Sequence, residues 1–496
     1  MAKIKKVLIA NRGEIAIRVI HTCKEMGIKT VAVYSWPDAQ SPHVLLADES
    51  VFIGEAASSE SYLVMDKIID AMKQTGADAV HPGYGFLSEN AEFARRCKEE
   101  GLIFIGPEPK AIKLMGDKTE ARELVTSAGI PTPPGLKSTL ESIEEAAQIA
   151  DEIGYPILVK ASAGGGGKGM RIVYKKEEFE SSIKAAKSEA KNAFGDDRVY
   201  IEKYLEEPRH IEFQIMADTH GNVLHVFDRE CSVQRRHQKV IEEAPSPLMT
   251  PELRKEMSEC AIKAARACDY VGAGTIEFLV DKHRNFYFLE MNTRLQVEHP
   301  VTEMISGLDL VELQILVAEG KELPLTQEDL EINGHAFECR IYAEDPENNF
   351  LPSTGTLIKH RAPTGSGVRV DAGVEEGLPI TINYDPMISK LTVHGKDRED
   401  ARKKMLRALD EYEIAGCRTT IPFCEFTLRH DVFIEGKYDT HFVKDHFLTR
   451  EQPHVQTDLI ALSAVLLKTK QSGQQNGTLQ PVEAAAISSD WWANRR

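Results

Sequence analysis

Between Lys6 and Ile105 short apolar runs alternate with longer amphipathic stretches, and no other feature restricts the fold of this chain as strongly. Lys6-Val-Leu-Ile-Ala10 reads as a buried strand, Glu14–Met26 as a helix stopped by Gly27, and Thr30–Tyr34 as a second strand. Helical patterns at Tyr62–Thr75 and Ala91–Glu100 each precede a further strand, at Ala79-Val80 and Ile103–Ile105. Strands alternating with helices of about 10–15 residues predict a parallel, doubly wound sheet. This Rossmann-like region is expected over residues 1–116.

Pro-Thr-Pro-Pro-Gly at 131–135 interrupts any helix. A second, α+β region follows, and from 334 to 447 come short strands, Gly/Pro turns and one clear helix, Arg398–Tyr412. Thr457–Lys470 reads as an amphipathic helix and 471–480 as a flexible linker within a 448–496 extension. At roughly 100–200 residues per domain, 496 residues suit about three domains.

Five clusters call for a chemical reason. In Lys160-Ala-Ser-Ala-Gly164-Gly-Gly166-Gly167-Lys168-Gly169, five glycines stand between two strand-like runs. Backbone without side chains can wrap a polyphosphate with its N–H groups. The Walker pattern is absent, since Gly169 stands where Ser or Thr is needed. Next, Thr275–Val280 and Phe286–Asn292 flank a polar turn, which predicts a hairpin with Glu277 nearly opposite Glu290 and with Glu290 and Asn292 on one face. Such all-oxygen ligands suit magnesium. Arg294, Gln296 and Glu298 alternate after the hairpin and would point the same way if extended. An Arg there suits a planar anion and the Glu a base. Asp228–Lys239 holds five cationic or imidazole side chains. His81-Pro-Gly-Tyr84-Gly-Phe is a weak dinucleotide loop lacking its third glycine.

The formal charge of −17 makes this basic island informative. An acidic chain is a poor binder of nucleic acid or anionic membranes through a general field, so an anionic substrate must meet local cations. The N-terminal apolar run of four residues is shorter than a secretory core of about 7–15. The run Leu459–Leu467 is under half of a roughly 20-residue span. Eight scattered cysteines without a Cys-x-x-Cys pair fit free thiols. A cytoplasmic protein is expected.

Together the strings Ile9–Ala16, His81–Asn90, Met115-Gly-Asp-Lys118, the glycine loop, Glu202–Leu205, Gln234–Lys239, Glu290–His299 and Glu338-Cys-Arg340-Ile resemble biotin carboxylase, the ATP-grasp component of biotin-dependent carboxylases. The resemblance covers about residues 4–447. It implies a Rossmann-like domain over 1–116, an ATP-grasp domain over 117–333 with a glycine-loop lid near 131–203, and a β-rich C-terminal domain over 334–447. It also implies that ATP and bicarbonate give carboxyphosphate, whose CO₂ passes to N1′ of biotin on a carrier protein.

By motif, the resemblance places Lys118, Lys160, Gly166 and Gly167 on the ATP phosphates, and Glu202, Lys203, Tyr204 and Leu205 around adenine. His210, Gln234 and His237 lie along the nucleotide. Glu277, Glu290 and Asn292 hold magnesium or manganese; Lys239, Arg294, Gln296 and Val297 hold bicarbonate. Glu298 is the base, Arg340 stabilises the biotin enolate, and Tyr84 joins Arg340 at biotin. Two departures stand out, Ala163 for a lid glycine and Tyr342 for an Asn. Another ATP-grasp ligase is disfavoured by Arg340 and the bicarbonate motif with Glu298, and a non-catalytic scaffold or nucleotide sensor by the presence of every charged position the chemistry requires. No Met-Lys-Met biotin-attachment motif is present, so the carrier and the carboxyltransferase are expected as separate chains. A homodimer is implied. Acetyl-CoA carboxylase is the expected setting, with pyruvate or propionyl-CoA carboxylase as the alternative.

Overall fold

The computed structural model describes residues 3–135, 142–161 and 170–450. Its opening region holds β1 (Lys6–Ile9), α1 (Gly13–Glu25), β2 (Lys29–Ser35), α2 (Pro42–Leu46), β3 (Glu49–Gly54), α3 (Met65–Thr75), β4 (Ala79–His81), α4 (Ala91–Glu99) and β5 (Ile103–Phe104). The strands form one parallel sheet in the order β3-β2-β1-β4-β5, the doubly wound form expected from the alternation. The edge strand β3 is absent from the sequence reading; half of its residues are exposed and only Ile53 is buried. Strand order reverses between β1 and β4, where a dinucleotide fold would bind its ligand. Here the protein's own groups pair with one another along the wall of that crevice. Asn11 Nδ2 donates to Pro82 O (2.8 Å) and Tyr84 O (2.7 Å), and Arg12 clasps Asp38 through two bonds of 2.6 Å.

After α5 (Pro109–Gly116) and α6 (Lys118–Ser127) comes a small antiparallel sheet of β6 (Ile157–Ala161), β7 (Met170–Val173) and β8 (Val199–Lys203), ordered β7-β6-β8. Helices α7 (Ile143–Ile153) and α8 (Phe179–Phe194) cover it around Ile157, Val159, Phe179, Ile183 and Ile201. Gly135 bridges to Glu202, and a Cβ there would lie 2.3 Å from Ile201 O, so only glycine lets the chain run this close to β8.

The main sheet has eight antiparallel strands. They are β9 (Arg209–Ala217), β10 (Val223–Arg235), β11 (Gln238–Ala244), β12 (Gly272–Val280), β13 (Phe286–Asn292), β14 (His335–Tyr342), β15 (Val368–Ala372) and β16 (Met387–Gly395). Their order is β13-β12-β9-β10-β11-β14-β16-β15, so the sheet runs without a break across Gly334 and pairs β11 directly with β14. Along β9 the residues alternate: Ile211, Phe213 and Ile215 join a core beneath α9 (Pro251–Ala267), while His210, Glu212 and Gln214 take the other face. Helix α10 (His299–Ser306) packs across β10, β11, β14 and β16. The expected helix at 457–470, Gly166, Gly167, Lys168 and Ala163 lie outside the described residues.

Candidate active site

The polar face of the main sheet lines a cavity of 710 Å³. The hairpin forms as its period-two pattern predicts: β12 and β13 pair antiparallel with Glu277 directly opposite Glu290. Lys239 Nζ stands at the centre and donates to Glu212 (2.5 Å), Glu277 (2.8 Å) and Glu298 (2.6 Å). Arg340 Nη2 donates to the other Glu298 oxygen at 2.9 Å, and its Nε to Glu242 at 2.6 Å. Burial alone would push Glu298 upward, but the charges of Lys239, Arg340 and Arg229 overcome it and hold the carboxyl far below its usual range. Glu277 is likewise held well down against burial by Lys239 and by His210, whose Nε2 lies 3.0 Å from it.

The stretch 294–298 is not a strand. It bends and turns into α10, with Leu295 buried in the core beside α1 and Glu298 at the cap position of the helix. Arg294, Gln296, Val297 and Glu298 still line the cavity together. Arg294 is held by Glu89 (2.9 Å) and Asn292 Oδ1 (3.0 Å), and Gln296 donates to Glu277 at 2.8 Å. Lys390 Nζ donates to Val297 O at 2.9 Å.

Other expected residues take mixed positions. Lys160 pairs with Glu202, which Arg122 also approaches at 3.4 Å; both lie on the cavity wall with Lys203, Tyr204, Leu205, His210, Gln234 and His237. Lys203 Nζ is spent on the carbonyls of Gly154 (3.0 Å) and Tyr155 (3.2 Å). Gln234 donates to Cys231 O at 2.8 Å and sits 3.0 Å from His210 Nδ1. Lys118 heads α6, exposed and off the wall, close enough for its charge to act on Glu290. Tyr84 does not share the cavity with Arg340. Its hydroxyl donates to Glu14, and its ring faces a second cavity of 790 Å³ that shares Asp385 with the first.

The segment 228–239 is not one basic surface. Arg229 and Arg235 are buried, while Arg236 and His237 form the two-residue turn between β10 and β11 with φ of +49° and +65°. Both central residues of such a turn need positive φ, which Asn-Gly usually supplies. Here the left-handed backbone carries an Arg and a His, and the His lines the cavity. Tyr342 is buried, with the Arg235 guanidinium 5.1 Å over its ring.

Glu212 and Glu242, which no motif announced, also stand in the site's network, as do Arg229 and Glu338, which lay inside quoted strings without a role of their own. The one local signal was on β9, where His210, Glu212 and Gln214 alternate with apolar residues in a wholly buried strand.

A divalent cation fits the acidic hairpin. Burial and then the charge of Glu277 push the Glu290 carboxyl up, so Glu290, unlike Glu277, lacks a cation of its own. Glu277 and Glu290 would hold the ion. Asn292 serves differently, since its Nδ2 donates to Glu277 (2.9 Å) and its Oδ1 accepts from Arg294. It braces Glu277 against Arg294. Replacing Glu290 by Gln is expected to raise the magnesium concentration for half-maximal ADP release by at least about 10-fold. A titration of activity against magnesium checks this, and an unchanged midpoint would remove Glu290 from the ion.

A small antiparallel subdomain beside a large sheet bearing paired acids and inward cations defines an ATP-grasp enzyme. A family model described as the carbamoyl-phosphate synthase L chain, ATP binding domain, matches residues 117–326. Models for the biotin carboxylase N-terminal and C-terminal domains match residues 3–112 and 338–445. The chain belongs to the biotin carboxylase family and is an ATP-dependent ligase.

A pyruvate carboxylase component of Methanothermobacter thermautotrophicus is 54% identical over 89% of this chain and 90% of its own length. The alpha component of mitochondrial methylcrotonoyl-CoA carboxylase from Dictyostelium discoideum is 52% identical over 96% of this chain, and the mouse propionyl-CoA carboxylase alpha chain 54% identical over 91%. This chain spans 69% and 63% of those two longer proteins. Among solved structures, a biotin carboxylase–βγ-ATP complex from Campylobacter jejuni is 50% identical with a TM-score of 0.86, covering 90% of this chain and 99% of its own. The biotin carboxylase domain dimer of Hydrogenobacter thermophilus 2-oxoglutarate carboxylase, solved with MgADP, ADP and bicarbonate, is 48% identical with a TM-score of 0.86, covering 92% and 100%.

Proposed function

We propose that this chain joins bicarbonate to the γ-phosphate of ATP and passes the carboxyl group to biotin on a separate carrier protein. The observation that carries the reading is the unbroken run Glu277–Lys239–Glu298–Arg340, which links the metal-binding hairpin to one carboxylate and one guanidinium on a cavity wall. Lys239, Arg294, Gln296 and the Val297 backbone bind bicarbonate. Glu298 takes the bicarbonate proton as that oxygen forms its bond to the γ-phosphorus and ADP leaves. A bound magnesium offsets charge on the phosphates. Carboxyphosphate breaks to CO₂ and phosphate; the phosphate takes the N1′ proton of biotin, Arg340 stabilises the enolate oxygen, and N1′ bonds to the CO₂. Lys118, Lys160 and the glycine loop hold the phosphates, and Glu202–Leu205 the adenine.

The names of the relatives favour pyruvate or a short acyl-CoA such as propionyl-CoA over acetyl-CoA as the final acceptor. A carrier, a carboxyltransferase, a homodimer, a cytoplasmic setting and the division at 116, 333 and 447 belong to the same proposal. No described helix is long and apolar enough to cross a membrane. The test is magnesium-dependent ADP release with bicarbonate and free biotin. Stimulation by both is expected; indifference to bicarbonate would overturn the reading. Capture of the partner transferase from the native cell then identifies the acceptor.

A further inference from the structure

Beneath Arg340 lie two carboxyl groups that the reaction above does not use. Glu242 on β11 and Glu338 on β14 are direct partners in the antiparallel register, and both side chains are fully buried. Directly opposed residues hold their Cβ atoms about 4.5–5.5 Å apart on one face of the sheet. Glu242 Oε1 accepts from Arg340, while its Oε2 has no hydrogen-bond partner among the described residues. Glu338 Oε2 accepts from Thr392 Oγ1 at 3.0 Å, and its Oε1 has no partner either. Two neighbouring acids, each with a bare buried oxygen, repel when both are ionised; a shared proton turns repulsion into an O–H···O bond.

The surroundings cannot neutralise both. Arg340 and Lys239 face Glu242, and Lys390 and Arg340 face Glu338, but Glu298 adds negative charge to each. Lys390 also lies 3.7 Å from Asp371 of β15. From β10 the buried Cys231 thiol is pushed far up and stays neutral, and from α10 burial and nearby cations hold His299 neutral as well. Burial pushes Glu242 up to about 7 and Glu338 up to about 8 against those cations.

We infer that Glu242 and Glu338 hold one proton between them and serve as a positioning pair for Arg340. With the proton in place Arg340 is shared with Glu298; when the pair ionises fully, its second charge draws Arg340 toward Glu242 and away from Glu298 and biotin. This rests on the roles given above to Glu298 and Arg340, and the consequence is an alkaline limit on the biotin half-reaction.

Infrared spectra of the full chain test the proton itself, independently of turnover. A protonated-carboxyl C=O stretch is expected at neutral pH in the wild type and lost in Glu338→Gln; its absence from the wild type overturns the inference whatever the activity. The pH profile of kcat/KM for free biotin tests the consequence. The wild-type profile is expected to fall as the pair ionises between about 7 and 8, and the fall in Glu338→Gln to move by at least about one pH unit with ATP KM little changed. Coincident profiles would overturn the positioning role.

Stability supplies a third readout. A carboxyl whose folded value lies above its unfolded one binds extra protons in the native state, so wild-type stability declines as pH rises from about 4.5 to about 8. The variant should show a shallower slope, because the buried Glu242 remains. Should Glu338→Gln fail to fold, Thr392→Val removes the donor that favours ionised Glu338. The band should then persist to higher pH, and an unchanged titration counts against the pair.

Discussion

Glu298→Gln is expected to lower bicarbonate-dependent ADP release by about 10²–10⁴-fold, the usual contribution of a positioned general base, while ATP affinity stays near that of the wild type. The amide keeps the volume of the carboxyl but cannot take a proton. It also turns an N–H₂ toward either Lys239 or Arg340, each of which now donates to one Glu298 oxygen. In the arrangement described, three cations hold Glu298 well below the usual carboxylate range, which makes it a weak proton acceptor. Substrate anions that draw Lys239 and Arg340 toward themselves would relax that hold and raise its basicity as bicarbonate arrives. Isothermal titration with ATP beside a steady-state assay separates the two effects. A loss of nucleotide affinity to match the loss of turnover would show that Glu298 holds ATP.

Arg229→Met is expected to cost about 3–5 kcal/mol of stability, the range for breaking a buried ion pair by removing one partner. Arg229 has 0 % exposure and donates to Glu212, Gln214 (2.7 Å), Thr275 (3.1 Å), Gln296 (2.7 Å) and Thr302 (3.0 Å). It thereby ties β9, β12, the 294–298 bend and α10 into one block. Methionine fills much of the space but leaves Glu212 buried with Lys239 as its remaining cation, and several hydroxyl and amide groups without a donor. Chains of this size often unfold irreversibly, so the rate of proteolysis under native conditions is the suitable measurement. An unchanged rate would mean that the block is held by packing alone. Bicarbonate KM should rise as well, because Gln296 loses its anchor.

Much of the site was readable in advance because its chemistry is written in short strings. The period of two along 275–292 placed Glu277 opposite Glu290, and the register agrees. The glycine run lies outside the described residues; Arg294, Gln296 and Glu298 were legible as one group, and they do line one cavity. The conformation of that last segment was not. Alternation suggested an extended strand, but Leu295 is drawn into the core beside α1 and the chain turns into α10 instead. Tyr84 belongs to the loop that reads only as a weak dinucleotide motif, and its hydroxyl is captured by Glu14, a residue seventy positions earlier that no local pattern connects to it.

The sequence by itself determined the classes of element, the parallel opening sheet, the acidic hairpin and the family. These follow from period, turn residues and motif spacing, all of which act over a few residues. Only the tertiary structure decided that Glu212, Glu277 and Glu298 share one ammonium group, that Arg229 is a buried tie and not part of a basic face, and that Glu242 meets Glu338 beneath Arg340. The reason is the strand order β9-β10-β11-β14-β16, which sets beside one another segments separated by tens of residues in the chain. Local patterning chooses the face a side chain takes, whereas the pairing of distant strands chooses its neighbours, and in a buried site the neighbours set the charge.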